Sequence, residues 1–293
     1  MFEVIKYHLP EAHAYADDNR LYLSFSPDTA ANQTDAVIAM ERCISDIRTW
    51  MLTDKLKLND DKTQFTLIGT KQLSKVNIDC LTVGSIDVAP ITVARNLGTS
   101  FDSNLNLQVQ IHKTCKSGFF HLYNIRRIPK YLSQESARTV VHAFIIGRID
   151  YCNSLLFGLP SVHLLKLQRL QNAAARLISN VPRYSHITPV LCSLHWLPVK
   201  FRIDFKILLF TFKAIYGHAP GYLIDSIAIK EQQRYNLRSA SGLILKYPSL
   251  KLKKTLGDRA FLSAAPNLWN NLPLHIRLED NFERFKSLLK TSF

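Results

Sequence analysis

The sequence predicts an α+β protein, in which β-hairpins and one helix come first and a mainly helical region follows. In roughly the first hundred residues, short segments alternate between apolar and polar side chains, which is the pattern of half-buried strands. From residue 105 onwards the apolar residues recur at the helical spacing of about 3.6. The chain has 293 residues, 47% of them hydrophobic, which is enough for two ordinary domains. We expect their ranges to be 1–110 and 111–293.

A β-hairpin is predicted at residues 13–25. The run from Leu21 to Phe25 alternates in polarity, and the residues before it tolerate the backbone conformations of turns. The predicted turn residues are Asp17, Asp18 and Asn19. The hairpin therefore carries two adjacent carboxylates at its tip.

One long helix and several short strands are predicted after this hairpin. Asp28 is a candidate N-cap for a helix that ends near Met51 and has apolar residues at helical spacing between them. The alternating segments that follow predict short antiparallel strands. They lie at residues 65–69, 76–78, 81–83, 86–88 and 91–93.

The region after residue 105 is predicted to contain four helices, followed by a last helix at residues 281–290. Ser133 and Ser161 are candidate N-caps of the second and third helices, because a serine side chain can accept a hydrogen bond from the first helical turn. The apolar stripes place Phe119 of the first helix and Phe144 of the second on buried faces.

Charge is distributed unevenly along the chain, whose net charge is +14. Residues 1–110 contain 10 Lys and Arg against 14 Asp and Glu, a net of −4, whereas residues 111–293 contain 27 against 9, a net of +18. A strongly basic region is the electrostatic feature of proteins that bind polyanions such as nucleic acids. A basic surface without a partner has the same composition, and charge alone does not separate the two.

Several classes of protein do not fit the sequence. No apolar run approaches the ~20 residues of a membrane helix, and the N-terminal residues lack the pattern of a signal peptide. The five cysteines are odd in number and include no C-x-x-C pair, which argues against a zinc site or a disulfide framework. Reduced thiols favour an intracellular protein, with nucleus or cytoplasm left open.

Asp17 and Asp18 are the candidate metal ligands. Carboxylates hold the two divalent ions, about 3.5–4 Å apart, that catalyse nucleotidyl transfer. Adjacent residues of a strand point to different sides, so these two cannot both chelate one metal pair well. A partner carboxylate from a neighbouring strand is required, and Glu3 and Glu11 are poor substitutes for it.

A second candidate site is the basic face of the helix predicted at residues 161–180. Lys166, Arg169 and Arg176 lie near one face, opposite the leucines, and are predicted to be exposed to solvent. Such a face can follow a phosphate backbone. A solvated helix face without a partner has the same pattern.

Further motifs occur in a fixed order along the chain. In the first half of the chain they are Tyr15-Ala16-Asp17-Asp18, Leu56-Lys57-Leu58-Asn59-Asp60-Asp61-Lys62-Thr63 and Arg95-Asn96-Leu97-Gly98. In the second half they are Arg148-Ile149-Asp150-Tyr151-Cys152-Asn153, Leu170-Gln171-Asn172-Ala173, Leu194-His195-Trp196-Leu197-Pro198, Arg259-Ala260-Phe261, Ala265-Pro266, Leu268-Trp269-Asn270 and the closing residues Phe285-Lys286 and Leu289-Lys290-Thr291. This series resembles the reverse transcriptases of non-LTR (LINE-type) retrotransposons, in particular their chicken-repeat and Jockey-like branch. The resemblance covers nearly the whole chain.

The resemblance implies a fold and a role for each matching residue. The first predicted region would be the C-terminal part of a polymerase palm, and the second would be the thumb with a basic C-terminal region. Asp17 and Asp18 would be catalytic ligands of Mg²⁺, and Lys62 would be a candidate proton donor to the leaving group. The turn Asn96-Leu97-Gly98 would grip the primer. The implied partners are an RNA template and a DNA primer, or their hybrid.

The chain also departs from the family. Asn19 stands where the family has Thr after the paired aspartates, and Gln64 stands where it has Glu. The family's fingers, its first half of the palm and its endonuclease domain precede the hairpin, and we expect them to be missing here. The chain by itself is therefore predicted to be an inactive fragment of an RNA-directed DNA polymerase. The alternatives are a non-catalytic nucleic-acid-binding module and an inert remnant of a decayed element.

Overall fold

The chain forms two compact units, Met1–Val109 (unit 1) and Gln110–Phe293 (unit 2). The computed structural model describes residues 2–16, 18–70, 75–128, 133–230, 243–248 and 256–293. The described residues form a mixed α+β structure with small antiparallel sheets, which confirms the predicted class. Within these ranges, no helix combines the length and the apolarity that crossing a membrane requires.

Unit 1 contains three β-hairpins, each a separate two-stranded antiparallel sheet among the described residues. Its elements are α1 (Phe2–Ile5), β1 (Glu11–Tyr15), β2 (Asp18–Tyr22), α2 (Ala30–Thr53), β3 (Leu81–Val83), β4 (Ile86–Val88), β5 (Val93–Asn96) and β6 (Thr99–Asp102). The strands pair in chain order, β1 with β2, β3 with β4 and β5 with β6.

Helix α2 is the support on which two of the hairpins pack. Cys43 and Ile47 contact one face of the β1–β2 hairpin through Ala12 and Leu21. Ile44, one position along, belongs to a second cluster with Leu81 and Val83 of the β3–β4 hairpin. The apolar stripe predicted for this helix therefore has two partners rather than one.

The N-terminus of α2 differs from the prediction. Thr29, not Asp28, is the N-cap, and its hydroxyl accepts a hydrogen bond of 3.2 Å from the backbone N–H of Asn32. The carboxylate of Asp28 instead accepts a hydrogen bond from the Ser26 hydroxyl. The prediction chose the first of two adjacent capping residues, and the chain uses the second.

The strand boundaries also differ in part from the prediction. The first hairpin is confirmed, but its strands pair Tyr15 with Asp18, so Asp18 and Asn19 lie in β2 and not in the turn. Segment 76–78 is not a strand, and segment 65–69 contributes one isolated bridge, between Phe65 and Pro90. Strand β6 was not predicted.

Unit 2 is helical in its described parts. Its helices are α3 (Gln108–Arg126, which begins at the end of unit 1), α4 (Gln134–Val141), α5 (Gly147–Asp150), α6 (Ser161–Ser179), α7 (Thr188–Ser193), α8 (Val199–Ile215), α9 (Gly221–Ile224), α10 (Phe261–Asn270), α11 (Leu274–Arg277) and α12 (Phe282–Ser292). A π-helical segment, His142–Ile146, joins α4 to α5.

A large core cluster of unit 2 joins the C-terminal helices to α8. Leu208 and Phe212 of α8 pack with Trp269 of α10 and with Phe285 and Leu289 of α12. The Phe212 and Phe285 rings lie 4.6 Å apart between centroids. Burial of large aromatic rings is the main stabilising contribution that such a cluster can make.

Some predicted helix ends are confirmed and one is wrong. The side chains of Ser133 and Asn281 cap α4 and α12 by accepting from Ser136 N–H and Arg284 N–H. Ser161 is the first residue of α6, and it follows the N-cap Pro160. The proline side chain has no hydrogen-bond acceptor, so α6 begins without a side-chain cap.

Phe119 and Phe144 were predicted to be buried, but their exposed fractions are 44% and 46%. On α3 the small residue Gly118 faces α6, where a Cβ atom would collide with Leu170. Phe119 follows it and is rotated away from that contact. Phe144 lies in the π-helical segment, whose wider turn shifts the buried face to Ile145 and Ile146.

Candidate functional site

The tip of the β1–β2 hairpin carries the acidic motif. Tyr15 and Asp18 form the last pair of the ladder, and Ala16 follows Tyr15 at the tip. Ala16 has a φ of 54°, the left-handed conformation that tight hairpin turns require. Asp17 lies outside the described residues. Asp18 is exposed at the start of β2.

The two faces of this hairpin have different neighbours. Side chains alternate along a strand, so Ala12 and Leu21, which pack on α2, share one face. Asp18 and Arg20 lie on the opposite face, as does Tyr22. The candidate metal ligand is therefore held on the side of the hairpin that faces away from α2.

Arg20 connects this face to the third hairpin. Its Nε donates a 3.1 Å hydrogen bond to Oδ1 of Asn96, and its Nη2 donates one of 3.1 Å to the backbone carbonyl of Arg95. A guanidinium can hold two acceptors at once because its N–H groups form a rigid fork. The contact brings together two motifs that are 76 residues apart in the chain.

The Asn96-Leu97-Gly98 motif forms the turn of that third hairpin. Asn96 pairs with Thr99, and the two residues between them have φ values of 43° at Leu97 and 80° at Gly98. Two successive positive φ values are typical of a type I′ turn, whose twist suits a hairpin. Leu97 is 42% exposed, so this turn presents an apolar side chain at its tip.

The segment that contains Lys62 also reaches the third hairpin. Asn59 Oδ1 accepts from Lys62 N–H at 3.3 Å and closes a single 3₁₀ turn, which leaves the Lys62 side chain exposed. Two residues later, Gln64 Oε1 accepts from Arg95 N–H at 3.5 Å. Gln64, one of the two positions that depart from the family, thus makes a contact between this segment and β5.

The described residues do not make up the predicted magnesium site. They include no group of three or more His, Cys, Asp or Glu side chains placed to hold a metal ion. At the hairpin tip they provide one carboxylate, Asp18, whereas two-metal chemistry requires several. Mg²⁺ therefore stays a prediction from the resemblance, and we derive no catalytic step through it.

The basic face of α6 differs from the prediction at one of its three residues. Lys166 and Arg169 are exposed, as predicted. Arg176 is half-buried instead, and its Nη2 donates a 3.1 Å hydrogen bond to the backbone carbonyl of Ser185. Arg176 fixes the loop between α6 and α7, so we assign it a structural role.

No family model, curated protein or solved structure matches this chain. The assignment of a function therefore depends on the motifs of the sequence and on the contacts described above.

The sequence did not single out two residues: Arg20, which belongs to this site, and Asp204, which is buried in unit 2. Arg20 was missed, although a cation two positions after Asp18 in a strand shares its face, and this spacing was an available signal. Asp204 of α8 is buried, and burial raises the pKa of its carboxyl group while Lys200 acts in the opposite direction. Asp204 belongs to unit 2, among the core residues of α8.

Proposed function

We propose that the chain is the C-terminal part of the reverse transcriptase domain of a non-LTR retrotransposon, with its thumb and basic C-terminal region. The observation that carries the proposal is the double hydrogen bond from Arg20 to Asn96 and Arg95. It joins the hairpin with the paired aspartates to the turn that resembles a primer grip. A polymerase needs these two parts close together, because the primer end must lie beside the metal ligands.

Gln64 adds a third motif to the same place. Its hydrogen bond to Arg95 holds the Lys62 segment beside the third hairpin. Three motifs that the resemblance relates to metal binding, leaving-group protonation and primer binding thus converge within unit 1. The order of motifs along the chain does not require this convergence, so it is independent support for the proposal.

Unit 2 would supply nucleic-acid binding. Residues 111–293 carry a net charge of +18, and Lys166 and Arg169 on α6 are exposed. A non-catalytic nucleic-acid-binding module is the second candidate function, and this charge favours it equally. The two candidates differ in what they predict for unit 1, where the module has no need of a primer-binding turn.

Crosslinking at position 97 tests the proposal. With a photoreactive p-benzoylphenylalanine in place of Leu97, we expect crosslinks to the primer strand of an RNA–DNA hybrid, near its 3′ end, because the exposed turn would lie against the primer. The same substitution at Ile86, 39% exposed in the second hairpin, is the matched control. Crosslinks that are absent at position 97, or equally frequent at both positions, would contradict the primer-binding role and leave the binding module as the better description.

The same labelled hybrid tests catalysis. A polypeptide of residues 1–293 is expected not to extend the primer with Mg²⁺ and deoxynucleotides, because the hairpin tip needs a carboxylate from a neighbouring strand. The products would be resolved on a sequencing gel, with Asp17→Asn as the matched variant. Extension by the unchanged polypeptide that disappears in Asp17→Asn would show that the catalytic site is complete.

A further inference from the structure

An exposed stripe of α3 combines cations with aromatic rings. Its residues follow one another at spacings of three and four, so they share one face of the helix. They are Lys113, Lys116, Phe120, Tyr123 and Arg127, the last just beyond the helix end, and we call them the α3 face. Phe120 is 61% exposed and Tyr123 59% exposed. Large rings this exposed, next to one another, indicate a binding surface.

The aromatic part extends beyond α3. The ring of His121 lies 5.5 Å from that of Phe120 and 5.1 Å from that of Phe144 in the π-helical segment. Phe144 is itself 46% exposed. The rings therefore form a continuous row across two elements. At the end of the helix, the Arg127 guanidinium lies 5.7 Å from the centre of the Tyr123 ring, which completes a row of rings beside cations.

The charge of this region has one sign. Helix α3 contains Lys113, Lys116 and Arg126 but no Asp or Glu. Burial raises the pKa of the Cys115 thiol on α3, and Lys166 of α6 is close enough to oppose part of that rise. An exposed cation of α6, Lys166, therefore lies near α3 as well.

We propose that the α3 face, together with Phe144, binds single-stranded nucleic acid, with unpaired bases stacked on the exposed rings and phosphates beside the cations. Aromatic rings within a basic surface are how proteins hold single strands without sequence preference. A duplex offers its charge but not its base faces, so it would use the cations alone. The central part of a protein-binding surface is depleted in charge, whereas here cations flank the rings at both ends of the α3 face. The inference deepens the nucleic-acid-binding part of the proposed function.

Replacement of the rings by leucine separates stacking from charge and apolarity. In the full chain carrying Phe120→Leu, Tyr123→Leu and Phe144→Leu, we expect single-stranded RNA and DNA to bind at least about tenfold more weakly, because the loss of even one stacked base costs about that factor. Affinity for a duplex of the same sequence is expected to stay within about twofold. Tyr184→Leu, at a tyrosine 91% exposed, is the matched control and is expected to change neither affinity. The single variant Phe120→Leu is included in case the triple variant misfolds. Fluorescence anisotropy with labelled oligonucleotides measures the binding of all four proteins: the unchanged chain, the triple variant, Phe120→Leu and Tyr184→Leu.

Three results would overturn the inference. Unchanged single-strand affinity in the triple variant, or equal losses for single strand and duplex, would exclude stacking at this face while leaving the proposed function intact. Loss of self-association in size-exclusion chromatography, with unchanged nucleic-acid affinity, would identify the face as a contact between copies of the chain. If the unchanged chain binds neither single strand nor duplex, the nucleic-acid-binding function itself fails.

Discussion

The affinity of the chain for nucleic acid is expected to fall about a thousandfold between about 50 and 200 mM salt if unit 2 neutralises about six phosphates. Each neutralised phosphate releases condensed counterions, so log affinity falls linearly with log salt, by about 0.7–0.9 per contact. The net charge of +18 on residues 111–293 is the reason to expect several such contacts. Anisotropy titrations of a labelled oligonucleotide over a series of salt concentrations measure the slope.

Substitutions on α6 measure how much of that salt dependence comes from its exposed cations. Lys166→Gln combined with Arg169→Gln should reduce the magnitude of the slope by roughly 1.4–1.8, the share of two phosphate contacts. Lys55→Gln combined with Lys57→Gln removes the same charge from exposed positions of unit 1 and serves as the matched control. Arg176 is left in place, because its hydrogen bond to Ser185 makes it part of the folded structure. Equal slopes for all three proteins would contradict a role for α6, and a flat profile for the unchanged chain would favour an inert remnant.

Phe285→Ala is expected to lower the free energy of unfolding by about 3–5 kcal/mol. Phe285 is fully buried, and its ring lies 4.6 Å from that of Phe212 and 5.7 Å from that of Trp269 between centroids. The substitution removes buried apolar surface and leaves a cavity among rigid rings that cannot close around it. Guanidinium unfolding followed by far-UV circular dichroism measures the change, since most helices of the described chain belong to unit 2.

Phe120→Ala is the matched control, because it deletes the same atoms from a residue that is 61% exposed. Its effect on the free energy of unfolding is expected to stay within about 1 kcal/mol. Comparable destabilisation by the two variants would contradict the core described here. The control also shows whether the α3 face can be changed without loss of the fold.

The candidate site could be predicted in its parts but not in its assembly. The acidic hairpin and the Asn96-Leu97-Gly98 turn follow from residues that are close together in sequence, and the structure places both at hairpin turns or beside them. The contact that joins them is made by Arg20, whose spacing from Asp18 gives the face of β2 that it shares but not the segment that it meets. A hydrogen bond across 76 residues depends on how the hairpins pack, and the sequence pattern carries no record of that packing.

Helix α6 also shows, within one element, what the local pattern predicts and what only the packing decides. Helical spacing correctly gave the buried residues of α6, among them Leu167, Leu170 and Ala174. It grouped Arg176 with the solvent-facing cations, because periodicity records direction around the helix axis and not what lies opposite. The loop after α6 covers this direction near the C-terminal end and supplies the Ser185 carbonyl.

By itself, the sequence determined the α+β class, the change from hairpins to helices, the cap Ser133, the last helix near residues 281–290 and the uneven charge. These features depend on the period of the backbone and on residues within one turn of each other. The tertiary structure alone decided that Arg20 meets Asn96, that α2 supports two hairpins, and that Phe119 and Phe144 are exposed. The first two, and the exposure of Phe119, depend on contacts between distant segments, such as Gly118 against Leu170, where the shape of the partner selects which side of a helix is buried. Phe144 is exposed because the π-helical turn shifts the buried face to its neighbours.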